Sequence, residues 1–579
     1  TNWAFPSLLP YIWTGADFAV NTNWDNALNW SDTILGAPGV NNTAYFSGAY
    51  LKDCNINVPI ACKGINIGLA YTGGTNTITQ NAAMTIGVNG FEVRGGIFTG
   101  GNQAITNAGF FRQTGGSFTN TSGTHEITAQ GSTIDTWIVS GGTHVPNGGI
   151  VKISSGVGLD AIVNNSAGRQ LNHLELNTTG ITSGTIFVDG DLTRTQGPTL
   201  NATISLKGNY IGAGGAGFSA GTGTIIFIST VANQNFNCLY APNVEIIKGA
   251  TTLIINTDIN VGSNWKHTSG TITWNAHKVT FDTVNTSLIT SGSFYDVEFN
   301  KIATTNVTIE KLCTISNDLT ITSLANLNQS AWQQDIGPLN LRQIEVSGHY
   351  ITNLNSWGGT ITLIFKGATN KNISGTGKQG VAIEVDKTNA SMSLLNHFDI
   401  FNTGHNLVIR NGGLDLSGFN LTVKNSFTVF GKLSLKGNET ITVKNLTTPA
   451  ITNPDFTISG TSSTIVYTNT NLAVVSNLSR TFYNLTLGAS KIHEFATGAP
   501  NAITINGALA SNYDGITGTR SVLRSELDAS VDWKLTLVGT STLSDKVDVK
   551  RSDASGGLGV LAVGSTNGGF NTNWVGLLL

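Results

Sequence analysis

Between Asn406 and Lys444 the chain reads NLVIRNGGLDLSGFNLTVKNSFTVFGKLSLKGNETITVK. Six apolar-x-apolar triplets follow one another: Leu407/Ile409, Leu414/Leu416, Leu421/Val423, Phe427/Val429, Leu433/Leu435 and Ile441/Val443. Their first members lie 7, 7, 6, 6 and 8 residues apart. Within each triplet the alternation has period two, which predicts a short strand with one buried face. Gly, Asn, Ser and Lys stand between the triplets, as turn residues do. No helical spacing runs through the stretch. A hairpin array would alternate paired turn signals such as Asn-Gly between matched strands. Here Gly and Asn recur after every strand at a nearly constant step, as in a chain that turns a corner in the same sense each time. Three such sides make a coil of about 20 residues, and coils stack at the strand spacing of about 4.8 Å. The predicted fold is all-β: a β-solenoid, of the right-handed parallel β-helix kind, with an up-and-down antiparallel array as the competing architecture.

The same short repeat runs on either side of this stretch. From residue 51 to about 170 it is thinner and glycine-rich, with Gly95-Gly96-Ile97-Phe98 and Gly115-Gly116-Ser117-Phe118 as clear copies. From about 171 to 515 a longer repeat overlies it. An apolar-x-apolar strand with an internal Glu or Thr opens each copy, as in Leu174-Glu175-Leu176, Val244-Glu245-Ile246, Val297-Glu298-Phe299, Ile383-Glu384-Val385 and Leu485-Thr486-Leu487. A Gly-Asn-Tyr-like turn (Gly208-Asn209-Tyr210, Gly348-His349-Tyr350) and a Gly-Thr-Ile strand (Gly223-Thr224-Ile225, Gly359-Thr360-Ile361) follow in several. The solenoid is therefore expected over 51–515, between an aromatic cap or assembly segment at 1–50 and a small β cap at 516–579.

The first segment concentrates tryptophan: Trp3, Trp13, Trp24 and Trp30, four of the chain's 11. A solenoid's first coil exposes an open core and an unpaired edge, and aromatic rings are a compact plug. In the last segment Asp532-Trp533-Lys534-Leu535-Thr536-Leu537 and Lys546-Val547-Asp548-Val549-Lys550 read as two strands of a hairpin. Asn571-Thr572-Asn573-Trp574 then repeats Asn21-Thr22-Asn23-Trp24, and Leu577-Leu578-Leu579 ends the sequence. Exposed leucines are adhesive, each contributing about 2 kcal/mol when fully buried. Trp3, Trp13, Trp24, Trp30, Trp574, Leu577, Leu578 and Leu579 are accordingly the candidate assembly contacts.

These motifs carry a resemblance. The order Trp13-Thr14-Gly15, Asn23-Trp24, Asn29-Trp30, Pro38-Gly39, Ala44-Tyr45-Phe46 resembles the start of autotransporter-type and other bacterial surface β-helix proteins. The repeat signals from Leu171 to Leu487, and the ending Ser552-Asp553-Ala554-Ser555-Gly556-Gly557 with Asn571-Thr572-Asn573-Trp574, are similar to those of large secreted surface proteins of bacterial and phage-associated type. The resemblance implies a solenoid capped at its start, displayed outside the cell.

Composition narrows the picture. The chain has 579 residues, 40% of them hydrophobic, which argues against disorder. Only 11% are charged, and 69 are Gly. Low charge with abundant Asn, Thr and Gly suits long parallel ladders in which amides and hydroxyls stack between coils. Net charge is −3 and no basic block occurs, so a nucleic-acid partner is not expected. No apolar run reaches the length of a membrane span. Thr1 at the start, with no signal-peptide core, fits a processed secreted chain or a partial one.

Candidate chemistry is sparse. Cys54, Cys62, Cys238 and Cys313 form no C-x-x-C. Cys54 and Cys62 flank a turn at Asn57-Val58-Pro59 and could form a short disulfide, or all four could be small buried apolar residues. Asp189-Gly190-Asp191 is the closest carboxylate pair, readable as a calcium or acid/base site or as a simple turn. Glu175, Glu245, Glu298 and Glu384 occupy matching repeat positions, as a structural row on the polar face would. Asn-x-Ser/Thr triplets such as Asn29, Asn120, Asn285, Asn438 and Asn484 occur at about the frequency chance gives in so Asn- and Thr-rich a chain. No catalytic, cofactor or metal site is assigned. The function expected is structural: an extracellular cell-surface protein that assembles with itself into a filament, sheath or layer, its shaft about 110 Å long at the usual strand spacing. The alternatives are a glycan-binding adhesin or phage tail protein, using exposed aromatics such as Trp265 or Trp357, and a polysaccharide-degrading β-helix enzyme.

Overall fold

The computed structural model describes residues 11–578 apart from short internal segments, the longest being 129–134, 155–159, 330–342, 448–461, 496–501, 512–519 and 526–530. The chain forms two compact units, Thr1–Thr280 and Phe281–Leu579. Both are built of short strands, and every strand ladder with a resolved register is parallel. One 3-10 turn, Ala27–Asn29, is the helical element among the described residues. The antiparallel alternative is thereby set aside: the fold is a β-solenoid.

In the first unit three ladders run through successive coils. One carries Ala44, Ile65, Phe91, Phe111 and Trp137 in register. A second carries Cys54, Ile78, Phe98, Phe118 and His144. A third carries Ile60, Met84, Ile105, His125, Val151, Leu174, Leu192, Tyr210 and Phe236. All of these side chains are buried, so each ladder is a column of core residues, one per coil. The rings of Phe98 and Phe118 stack 5.0 Å apart on consecutive rungs, and Phe111 stacks on Trp137 at 4.2 Å.

The glycine-rich copies read from the sequence mark one corner. Gly96, Gly116 and Gly142 take positive φ (66°, 62° and 73°) on three successive coils. A Cβ on Gly116 would stand 2.5 Å from the Gly95 carbonyl oxygen, and one on Gly142 2.3 Å from that of Gly116. Only glycine satisfies both the left-handed backbone and this close stacking.

In the second unit the pattern at 406–444 becomes two coils. Leu407 pairs in register with Phe427, Leu414 with Leu433, and Leu421 with Ile441. All twelve triplet residues are buried. The first of these ladders extends back through Ile383, Leu363 and Ile344 to Cys313, and the third forward through Ile465 and Leu485 to Leu509.

The expected hairpin at the C-terminal end is not formed. Trp533–Leu537 pairs in parallel with Ala502–Ile505 and with Ser552–Asp553, and Val547–Val549 with Ser521–Ser525 and Thr566–Asn567. The intervening chain holds a third strand, Thr540–Thr542, parallel to Ala508–Ser511. Two corners, not one reversal, separate the two strands. Residues 516–579 thus carry the stacking on, as far as Trp574–Val575 on Val560–Leu561.

Candidate functional site

The N-terminal tryptophans act as a plug. Trp13, Trp24 and Trp30 are at most 2% exposed. Trp30 stands edge-on to Trp24 at 4.7 Å and to Trp13 at 5.1 Å, and all three surround Phe46 at 5.9 to 6.2 Å. Two of the indole N–H groups are engaged: Trp13 donates to the Lys52 carbonyl at 3.2 Å and Trp30 to that of Trp24 at 2.8 Å. Tyr11–Ile12 seats this lid on Thr43–Phe46 in parallel register. Inward-facing rings leave no side-chain surface for a neighbouring molecule, so these three are core residues and not assembly contacts. Trp3 lies outside the described residues. Trp265 is likewise fully buried and is removed as a glycan contact, because its ring takes the inward slot on Val244 of the coil before. The side chain of Trp357 lies outside the described residues.

The carboxylates read as a polar-face row are held by side chains on adjacent coils. Glu175 and Glu126 flank Lys152 at 3.5 and 3.6 Å, Glu245 meets Lys266 at 2.6 Å, and Glu384 takes both arms of Arg410 at 2.5 and 3.1 Å. Glu298 accepts from the Thr322 hydroxyl at 2.8 Å. In the Asp-Gly-Asp turn, Asp189 pairs with Lys207 at 2.7 Å and Asp191 accepts from the Asn209 amides at 2.7 and 3.0 Å. Asn209 begins a ladder continued by Asn235, Asn256 and Asn275, each side chain bonding the one on the coil before at 2.9 to 3.2 Å. Asn23, Asn55 and Asn81 form another, at 2.9 and 2.7 Å. Among the described residues no three His, Cys, Asp or Glu gather as metal ligands would, and no helix is long and apolar enough to cross a membrane.

All four cysteines are free thiols within the core. Cys54 and Cys62 face inward on Cys54–Ile56 and Ile60–Ile67, and burial pushes the Cys62 thiol up to about 12 and that of Cys54 well above its usual range. The buried apolar role, not the disulfide, is the one observed.

The interior of the first unit also holds polar groups that the sequence reading passed over. His125 and His144 are buried among Phe111, Phe118 and Trp137. Each makes one hydrogen bond through Nδ1, to the Asn120 oxygen at 3.1 Å and to the Gln113 oxygen at 3.0 Å, and neither Nε2 has a partner. Burial first, then repulsion from a protonated His144 for His125 and from Arg169 for His144, lowers His125 to about 3 and His144 to about 4, so both are neutral at physiological pH. Arg194 is fully buried with all three guanidinium nitrogens unpartnered. Burying an unpaired cation costs several kcal/mol even after relaxation. The signal was parity: Leu192-Thr193-Arg194 and His125-Glu126-Ile127 put Arg194 and His125 on the same side as an apolar neighbour two residues away.

The second unit offers open polar surface. A groove of about 520 Å³ is lined by Asn370, Asn389, Ser391, Arg410, Asn411 and Lys432, with Phe430 at its wall. Asn411 donates to Asp386 at 2.6 Å, and the Asn370 oxygen accepts from the Ser391 amide at 2.9 Å, which fixes the lining. The last coils are different. Leu558, Leu561, Val563, Phe570, Val575 and Leu578 are all exposed, Phe570 at 71% and Leu578 at 54%. Trp574 is half-buried, donating to the Ser552 hydroxyl at 3.0 Å, and Leu577 is also half-buried. Leu579 lies outside the described residues. Compared with protein-family models, with curated proteins and with solved structures, the chain matches none.

Proposed function

We propose that the chain is an extracellular structural protein that associates with copies of itself into a filament, sheath or layer at the cell surface. The observation that carries this reading is the apolar face of the last coils, Leu558, Leu561, Val563, Phe570, Val575 and Leu578, beside the strand Trp574–Val575, whose outer edge has no partner strand among the described residues. Exposed apolar side chains next to an unpaired parallel edge present both the burial and the hydrogen-bond template that a second chain needs. A contact of one surface with a different surface of the next copy is open-ended and propagates. The resemblance of the repeat and terminal motifs to secreted surface proteins supports the location. Light scattering and negative-stain microscopy of the purified chain test the association: extended assemblies are expected, and Val575→Lys with Leu578→Lys should return single particles. Wild-type protein that stays monomeric at tens of micromolar would remove the reading. Antibody labelling of intact source cells tests the location.

A second reading, binding of cell-surface glycans, is favoured by the groove at Asn389, Arg410, Asn411 and Lys432 with Phe430. Amides and a guanidinium beside an aromatic wall suit a polyhydroxylated ligand. A glycan array probed with wild type and with Asn411→Ala tests it, and equal, featureless signals from both would end it.

A further inference from the structure

Arg194 ends the strand Leu192–Arg194 at an inward position, in register with Leu176 on one coil and Gly212 on the next. The Leu176 side chain covers it from one side, while Gly212 brings no side chain to the other. Its guanidinium lies 4.2 Å from the centroid of the buried Phe218 ring, which accepts the cation's face but none of its N–H bonds. The Tyr210 hydroxyl, one coil on, is also buried, with the Cys238 thiol as its hydrogen-bond neighbour. Tyr210 and Cys238 are the titratable groups that act on Arg194, and no carboxylate is among them. Neither supplies a negative charge at neutral pH. Burial raises the phenol well above its usual range and the thiol to about 11, and the thiol donates to the Tyr240 carbonyl at 2.9 Å. A guanidinium stays protonated under all ordinary conditions. The coil therefore encloses a permanent cation with unused donors and, among the described residues, no carboxylate acting on it.

We propose that Arg194 and Tyr210 form an internal site for one small monovalent anion, chloride in ordinary buffers. Water would accept the N–H bonds but leave the charge uncompensated in an apolar interior. A divalent oxyanion would overcompensate it. A halide matches the single charge and accepts from several donors at once.

Two measurements on the full chain decide the matter together. Protein purified in chloride is exchanged into gluconate and denatured, and the released chloride is counted by ion chromatography. In parallel, melting is followed as chloride replaces gluconate at constant ionic strength. A trapped ion gives about one chloride per chain on denaturation. An exchangeable one gives a saturable rise in melting temperature of several degrees. Arg194→Met, which keeps the length of the side chain and loses the charge, should abolish whichever response the wild type shows. Tyr210→Phe should weaken an exchangeable site by roughly tenfold, the value of one lost donor to a charged group. No released chloride and a chloride-independent melt in wild type would overturn the proposal. So would a Cys238 thiol that titrates below 8.5 in wild type and rises in Arg194→Met, because the counter-charge would then be the thiolate.

Discussion

The tetrapeptide Asn-Thr-Asn-Trp occurs at residues 21–24 and again at 571–574. In each place an isolated parallel bridge ties the segment to another coil, Asn23 with Asn55 and Thr572 with Asp553. The tryptophans that follow end differently. Trp24 is 2% exposed because Trp30 and Phe46 close around it. Trp574 touches Trp533 at 6.3 Å and keeps one side in solvent. The same local sequence is thus a core element where other aromatic residues complete its surroundings, and a surface element where they do not. Burial is a property of the neighbourhood, and a motif carries it only together with its partners.

The contrast can be broken most sharply at its buried member. Trp24→Ala should destabilise the first unit by about 3–5 kcal/mol, the range for truncating a large core aromatic, read as an earlier denaturation transition. Acid separates the two regions next. His125 and His144 have folded values lowered to about 3 and about 4 against an unfolded value near 6.5. Their neutral forms stabilise the first unit fully above pH 6.5, and that stability is lost as pH falls through 6.5 toward 4, because the unfolded chain binds the protons first. At pH 5 each should cost about 2 kcal/mol. The melting temperature should therefore fall between pH 7 and 5, and His125→Gln with His144→Gln should flatten the dependence. Trp574→Ala is the mild case. It should cost about 1 kcal/mol or less in denaturant melts, since the ring is only partly enclosed, while measurably reducing any self-association seen by light scattering. An effect as large as that of Trp24→Ala would show that the two copies are equivalent after all.

Much of the architecture was legible where apolar residues alternate without interruption. Leu407 to Val443 gave strand positions, the three-sided coil and its 20-residue repeat, because each triplet has one inward face and the turns between carry Gly and Asn. The hairpin reading of 532–550 failed for a specific reason. Two alternating strands joined by nine residues look alike whether the link reverses once or turns twice, and the short polar strand Thr540–Thr542 that decides it has no apolar signature. Assigning Trp13, Trp24 and Trp30 to assembly failed because sequence gives aromatic content and not direction. The glutamate row was recoverable because period two places Glu175, Glu245 and Glu384 opposite their apolar flanks. Arg194 and His125 share parity with the core, but a charged type at an inward position runs against the expectation that such residues face water.

The in-register pairing of Leu407 with Phe427, Leu414 with Leu433 and Leu421 with Ile441 has a consequence for how such a chain changes length. Equivalent corners lie one whole turn apart, so excising residues 407–426 would rejoin matching points and hand each surviving strand a new parallel neighbour of the same kind. Shortening by any other amount would rotate inward side chains onto a different side. Whole-turn duplication and loss are thus the tolerated edits, and a gene of this sort can lengthen or shrink its product without redesigning its interior.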